Sequence, residues 1–225
     1  MEQKTFALKG NIIYTKERTR FEVMEQGWLV CEEGRVRDVY SVLPEELKGI
    51  PVEDMEDRLI IPGLTDLHIH APQYTFRSLG MDMELLEWLE TNTFPEESKY
   101  KDAEYAKKAY EMFAEQLKKS ATVRACIFGT IHNEATLILM DLLEEAGLHT
   151  MVGKVNMDRN SPDYLCEPSA EASAQATREW LKAVADRKYK HTRPILTPRF
   201  TPSCTDELME LLKEIQTETH LPMQS

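Results

Sequence analysis

Two patterns of hydrophobic and polar positions divide the chain near residue 60. Before it, short β-type runs alternate with charged turns, and Gly27 and Glu33-Gly34 are the expected hairpin corners. After it, apolar runs alternate with amphipathic stretches of helical period, which is typical of parallel strands joined by crossover helices. We therefore predict a small antiparallel β-sheet domain over residues 1–60 and an α/β domain over residues 61–225.

The α/β part reads as four strand–helix units followed by the start of a fifth strand. We predict strands at 59–70, 123–130, 150–157 and 194–200, with helices at 102–119, 134–146, 169–186 and 205–219. Residues 221–224 open the fifth strand. Because parallel strands end at one edge of a sheet, polar residues that follow several strands are expected to share one site.

The charge balance and the cysteines restrict the class of protein. A formal net charge of −12 argues against a nucleic-acid partner, which would need clustered Lys and Arg. Cys31, Cys126, Cys166 and Cys204 include no C-x-x-C pair and predict free thiols in a reducing compartment. No apolar run reaches the roughly 18 residues of a membrane span, and no signal core opens the chain. We expect a cytoplasmic protein with no membrane partner.

The clearest candidate chemistry lies at the end of the first predicted strand. An apolar run and the Pro62-Gly63 break precede His68 and His70, which are separated by one apolar residue. Side chains alternate faces along a strand, so both histidines point to the same side. Two neutral imidazoles arranged in this way suit a divalent transition metal, most often zinc. A polar strand end without a ligand role is the alternative.

Residues 62–70 resemble the first-strand signature of the amidohydrolase superfamily. Further segments, in the family's order, resemble its guanine deaminase family: residues 70–74, 86–89, 93–95, 125–132, 152–158 and 197–200. The resemblance implies the N-terminal part of a metal-dependent (β/α)8 (TIM) barrel. A complete barrel takes about 250 residues, so we expect this one to be truncated after about four βα units.

The resemblance also assigns roles to single residues. It makes His68 and His70 metal ligands and Gln73 a purine contact, since an amide offers a donor and an acceptor. Arg199 and Phe200 end the fourth strand, where a guanidinium can bind a purine carbonyl and an aromatic ring can stack. Without the resemblance, Gln73 is an exposed loop residue and Arg199 a salt-bridged rim residue.

The reaction that the resemblance implies is hydrolysis of guanine to xanthine and ammonia by a zinc-activated water. Two-metal relatives carry a modified lysine on the fourth strand, and residues 194–199 contain none, which favours a single metal. The catalytic groups of the family follow later strands, so we expect none before Ser225 and an inactive chain on its own. A homodimer is the assembly implied for the full-length form.

Two alternatives stay open. The first is a related amidohydrolase that acts on another amino-purine, a pterin or a triazine, because such enzymes share the first-strand motif. The second is an inactive truncated relic or half-barrel whose role is assembly. Metal content and substrate preference distinguish the three.

Overall fold

The computed structural model describes residues 5–225 and divides into two compact units, one ending at Gly63 and the other spanning Leu64–Ser225. The first four residues, which belong to the predicted 1–60 domain, lie outside the described residues. Within the described residues, no helix has both the length and the apolar character needed to cross a bilayer.

The first unit is a four-stranded sheet with the order β3-β2-β1-β4. Its strands are β1 (Phe6–Glu17), β2 (Arg20–Glu32), β3 (Arg35–Tyr40) and β4 (Val52–Ile60). Neighbours β1–β2 and β2–β3 pair antiparallel. Glu33 and Gly34 join β2 to β3 with positive φ angles of 52° and 75°, the conformation of a tight hairpin turn.

Two expectations for this sheet were wrong. The sheet is mixed, because β4 pairs parallel to β1, with Ala7 opposite Val52. The segment between β3 and β4, which includes a 3₁₀ turn at Glu45–Leu47, returns the chain to the end where β1 begins. Gly27 is not a corner; it lies inside β2 opposite Gly10, beside a bulge, and a Cβ there would lie 2.2 Å from Met24 Cγ.

The second unit places four parallel strands against helices. Strands β5 (Leu64–His70), β6 (Thr122–Phe128), β7 (His149–Gly153) and β9 (Thr192–Pro194) form one sheet in that order, and β8 (Val155–Asn156) pairs with β10 (Thr197–Pro198). This mixed α/β unit with a parallel sheet is consistent with part of a (β/α) barrel. Leu196 and Met223 form a further parallel bridge, where the fifth strand was predicted to open.

The four long helices begin and end within one residue of their predicted bounds. They are α3 (Ala103–Lys118), α4 (Asn133–Glu145), α5 (Ala170–Arg187) and α6 (Asp206–Thr219). Side-chain caps fix three of the starts, because Asp102, Ser169 and Thr205 accept hydrogen bonds from backbone N–H groups of the first turn. The apolar faces of α3, α4 and α5 pack on the sheet around Tyr110 and Trp180, which are fully buried, whereas α6 packs in a second cluster that includes Leu196.

The predicted strand at 59–70 is in fact two strands in different units. β4 ends at Ile60 and β5 begins at Leu64, with Pro62 and Gly63 between them. The third and fourth predicted strands are also interrupted, at Lys154 and at Ile195-Leu196. The first and the last of these interruptions matter because His68, His70 and Arg199 lie beyond them and approach the candidate site. Short helices α1 (Leu85–Trp88) and α2 (Phe94–Ser98), joined by a π-helical turn at Leu89–Thr93, follow β5.

Candidate functional site

A cavity of about 750 Å³ lies at the carboxyl ends of the parallel strands. The five residues singled out in the sequence all line it: His68, His70, Gln73, Arg199 and Phe200. They come from the end of β5, from the turn after β5 and from the segment after β10. More than 120 residues of sequence thus separate groups that share one wall, which is how barrel enzymes assemble their sites.

The two histidines face the same side, as their spacing predicted. Their ring centroids lie 5.2 Å apart, and both rings pack on Phe128, at 4.7 Å for His68 and 4.3 Å for His70. Asp66, two residues before His68 on the same strand, accepts a hydrogen bond from the His68 backbone N–H at 3.0 Å. Asp66 therefore steadies the strand end from which both imidazoles project.

The environment of His70 keeps its imidazole neutral. Burial, followed by the positive charge of Arg199 and the proximity of His68, lowers the pKa of His70 to about 3. Its Nδ1 atom is buried and has no hydrogen-bond partner among residues 5–225. A neutral imidazole with an unpartnered nitrogen is the donor that a transition metal requires.

The described residues supply only part of a metal shell. In the part of the chain that the structure describes, no group of three or more His, Cys, Asp or Glu is placed to hold a metal. A catalytic zinc site takes three protein ligands and a water. His68 and His70 therefore fit as two ligands of a shell that needs at least one more.

Arg199 is held on two sides. It is 4% exposed, and its Nη1 forms an ion pair with Glu97 Oε2. The Phe94 ring centroid lies 5.5 Å from its Cζ, within cation–π range. Its backbone N–H donates to Asn156 O at 3.0 Å. Arg199 is ion-paired, as the rim alternative proposed, yet it is buried and faces the cavity.

Phe200 and Gln73 complete the polar and aromatic wall. Phe200 adopts φ 33° and ψ 148°, a backbone conformation that residues other than glycine rarely adopt. Its side chain is partly exposed at the cavity. Gln73 lies in the 3₁₀ turn Ala71–Phe76 that follows β5 directly. Tyr100, which follows α2, contacts this turn, because its hydroxyl donates a hydrogen bond to Pro72 O at 3.1 Å.

The sequence reasoning missed Glu97. It lies on α2, two residues after the segment 93–95 that carries the family resemblance, and it is 2% exposed. Burial raises the pKa of Glu97, while the charge and hydrogen bond of Arg199 and the Gln73 side chain act in the opposite direction. Two adjacent acids, Glu96 and Glu97, gave no signal in the sequence that one of them would be buried.

Comparisons with known proteins agree with this arrangement. The model of the amidohydrolase family matches residues 59–224. Guanine deaminase from Dictyostelium discoideum is 35% identical, over 96% of this chain and 52% of its own length. Guanine deaminase from Escherichia coli (strain K12) is 34% identical, over 87% of this chain and 44% of its own length.

A solved structure shows the same likeness in three dimensions. The guanine deaminase of C. acetobutylicum, with guanine bound in its active site, superposes with a TM-score of 0.92. It is 42% identical and matches 98% of this chain and 52% of its own. The chain spans about half the length of these relatives. From the family model that covers most of its residues, the chain belongs to the amidohydrolase family.

Proposed function

We propose that the whole protein to which this chain belongs hydrolyses guanine to xanthine and ammonia, and that this chain supplies the purine-binding wall and two metal ligands. The observation that carries the proposal is the convergence of Gln73, Arg199 and Phe200 on the cavity that holds His68 and His70. The similarity to a guanine deaminase that binds guanine in its active site supports the choice of purine.

Each wall residue offers one element of purine recognition. The Arg199 guanidinium donates hydrogen bonds and suits the carbonyl oxygen of guanine. The Gln73 amide can donate to and accept from the base edge, and the Phe200 ring can stack on the purine face. Because the site excludes much of the solvent around Arg199, the loss of one of these contacts should weaken binding measurably.

His68 and His70 would hold the metal, which we propose to be a single zinc ion. When bound, zinc lowers the pKa of a coordinated water to about 7 and so supplies a hydroxide nucleophile near neutral pH. The two imidazoles contribute neutral nitrogen donors, and Phe128 fixes their ring planes. The remaining ligands and the proton-transfer groups would come from outside this chain.

The architecture that suits this function is a (β/α)8 barrel. We propose that residues 61–225 form its first units and that residues 1–60 are a share of a separate β-sheet domain. A homodimer stays a prediction from the resemblance, and a cytoplasmic location stays a prediction from the sequence pattern. The intact mass of the protein from its native source tests the first point: a value far above 26.0 kDa means that further barrel strands exist.

A substrate panel separates the proposal from its rivals. Ammonia release is measured with guanine, adenine, a pterin and an amino-triazine, for the wild-type protein of native length and for Gln73→Ala and Arg199→Met. A guanine enzyme prefers guanine and loses guanine turnover with each variant. A preference for another compound supports the related amidohydrolase, and zinc binding without any ammonia release supports the inactive relic.

A further inference from the structure

Glu97 lies behind the cavity wall and contacts Arg199, which forms part of it. Its Oε2 pairs with Arg199, and its Oε1 is buried without a hydrogen-bond partner among residues 5–225. The Gln73 side chain lies close enough to favour the charged form of the Glu97 carboxyl. Glu97 is not among the described residues that line the cavity, so it has no direct contact to offer a ligand there.

The same turn of helix supplies a second contact to Arg199. Phe94 and Glu97 are three residues apart on α2, so their side chains share one face. The carboxylate binds an edge of the guanidinium, and the Phe94 ring lies 5.5 Å from Cζ. The π-helical turn Leu89–Thr93 precedes this face, and such turns occur frequently at functional sites. Arg199 is thus fixed both in position and in the plane of its fork.

Stability alone does not explain this pair. Two buried charges lose so much hydration that a buried ion pair contributes little net stability compared with apolar residues of the same volume. What the pair does provide is a defined orientation for a side chain with many rotamers. In a binding site, a small displacement of one donor is enough to lower affinity and rate.

We propose that Glu97 is a positioning residue, which holds Arg199 in the geometry that recognises the 6-oxo group of a purine. The proposal rests on the proposed function, because it concerns the same cavity and substrate. It adds that selectivity for 6-oxopurines over purines that lack this oxygen depends on a carboxylate that never touches the substrate.

The test compares guanine with 2-aminopurine, which lacks the 6-oxo group. Guanine KM and kcat, and the inhibition constant of 2-aminopurine, are measured for the metal-loaded protein of native length and for Glu97→Gln. We expect guanine KM to rise about tenfold, equivalent to about 1.4 kcal/mol, with a smaller change in kcat. The inhibition constant of 2-aminopurine should stay within about twofold of its wild-type value, so selectivity falls.

Glu167→Gln is the matched control. Glu167 is also a buried acid, and it pairs with the buried Lys154 away from the cavity. This variant should lose thermal stability to a similar extent yet keep the wild-type ratio of guanine to 2-aminopurine affinity. In an Arg199→Met background, Glu97→Gln should have no further effect on that ratio, because its target has been removed.

Several results would overturn the inference. An unchanged ratio in a folded Glu97→Gln protein contradicts it, and so does an equal loss of selectivity in Glu167→Gln. Should Glu97→Gln fail to fold, Glu97→Asp keeps the charge but shortens the reach, and undiminished selectivity in that variant is equally contradictory. A wild-type protein that binds but does not deaminate guanine refutes the proposed function instead, which keeps the two failures distinct.

Discussion

Replacing Gly153 with alanine should disrupt its close contact with Thr197 in β10, the strand that leads to Arg199. Gly153 ends β7, and an added Cβ would lie 1.7 Å from Thr197 Oγ1, 2.6 Å from Thr197 Cβ and 2.7 Å from Ile195 O. Thr197 is fully buried, and its hydroxyl donates to Ile195 O at 3.2 Å and accepts from Gln224 Nε2 at 3.0 Å. A side-chain rotation cannot remove all three clashes, so the backbone must move.

The expected loss follows from that geometry. Overpacking a core position usually costs about 1–3 kcal/mol, and a clash with a backbone oxygen belongs at or above the upper end. Gly147→Ala is the matched control, because a Cβ there meets no atom within 4 Å. The Gly147→Ala variant should lose only the free energy needed to place alanine in a left-handed conformation at φ 72°, about 1–2 kcal/mol.

Urea unfolding followed by tryptophan fluorescence measures both variants. Trp180 is 1% exposed and belongs to the same buried cluster as Val152, the neighbour of Gly153, so its emission reports on this core. The free energy of unfolding should fall about 1 kcal/mol or more further in Gly153→Ala than in Gly147→Ala. An equal or smaller loss in Gly153→Ala would refute the packing argument.

Three further predictions concern the site and its support. Phe200→Gly should unfold at a higher temperature than Phe200→Ala, because φ 33° is strained for any side chain, while both weaken guanine binding by about 1–3 kcal/mol of lost stacking; equal melting temperatures contradict the strain. Burial acts to raise the pKa of Glu144, but backbone N–H donors of Lys190, His191 and Thr192 lower it to a net value below the ordinary one. The Glu144 carboxylate therefore stabilises the fold above its unfolded pKa, and this stabilisation is lost as pH falls through the folded pKa. Between pH 3 and 6 (about the carboxyl range), the melting temperature of Glu144→Gln should fall less steeply with decreasing pH than that of the wild-type protein; equal slopes contradict this. A chelator should lower the melting temperature of the wild-type protein of native length but not of His70→Ala, since a metal bound at 100 times its Kd adds about 2.7 kcal/mol; an equal shift in both proteins argues against His70 as a ligand.

The local elements were predictable because their signals are local. Helix starts at Asp102, Ser169 and Thr205 carry capping side chains, and the apolar period that follows needs no tertiary information. The same-side placement of His68 and His70 follows from strand alternation alone. These features could be derived from residues fewer than 20 positions apart.

Other features depend on contacts between distant segments. The parallel pairing of β4 with β1 depends on how residues 41–51 cross the sheet, and the hydrophobic periodicity of the sequence does not indicate the direction of that crossing. The sequence placed Arg199 at a strand end, but its partner Glu97 lies 102 residues earlier. A sequence does not show that a charged residue is buried unless its counter-charge is known, because the buried Glu97 and the exposed Glu90 are both simply glutamates.

Ammonia release from guanine by the protein purified at its native length tests the central claim most directly. The account predicts guanine-dependent ammonia and an equal amount of xanthine, abolished in His70→Asn and strongly reduced in Arg199→Met. A wild-type protein that carries zinc and binds guanine, yet releases no ammonia from it, would contradict the account.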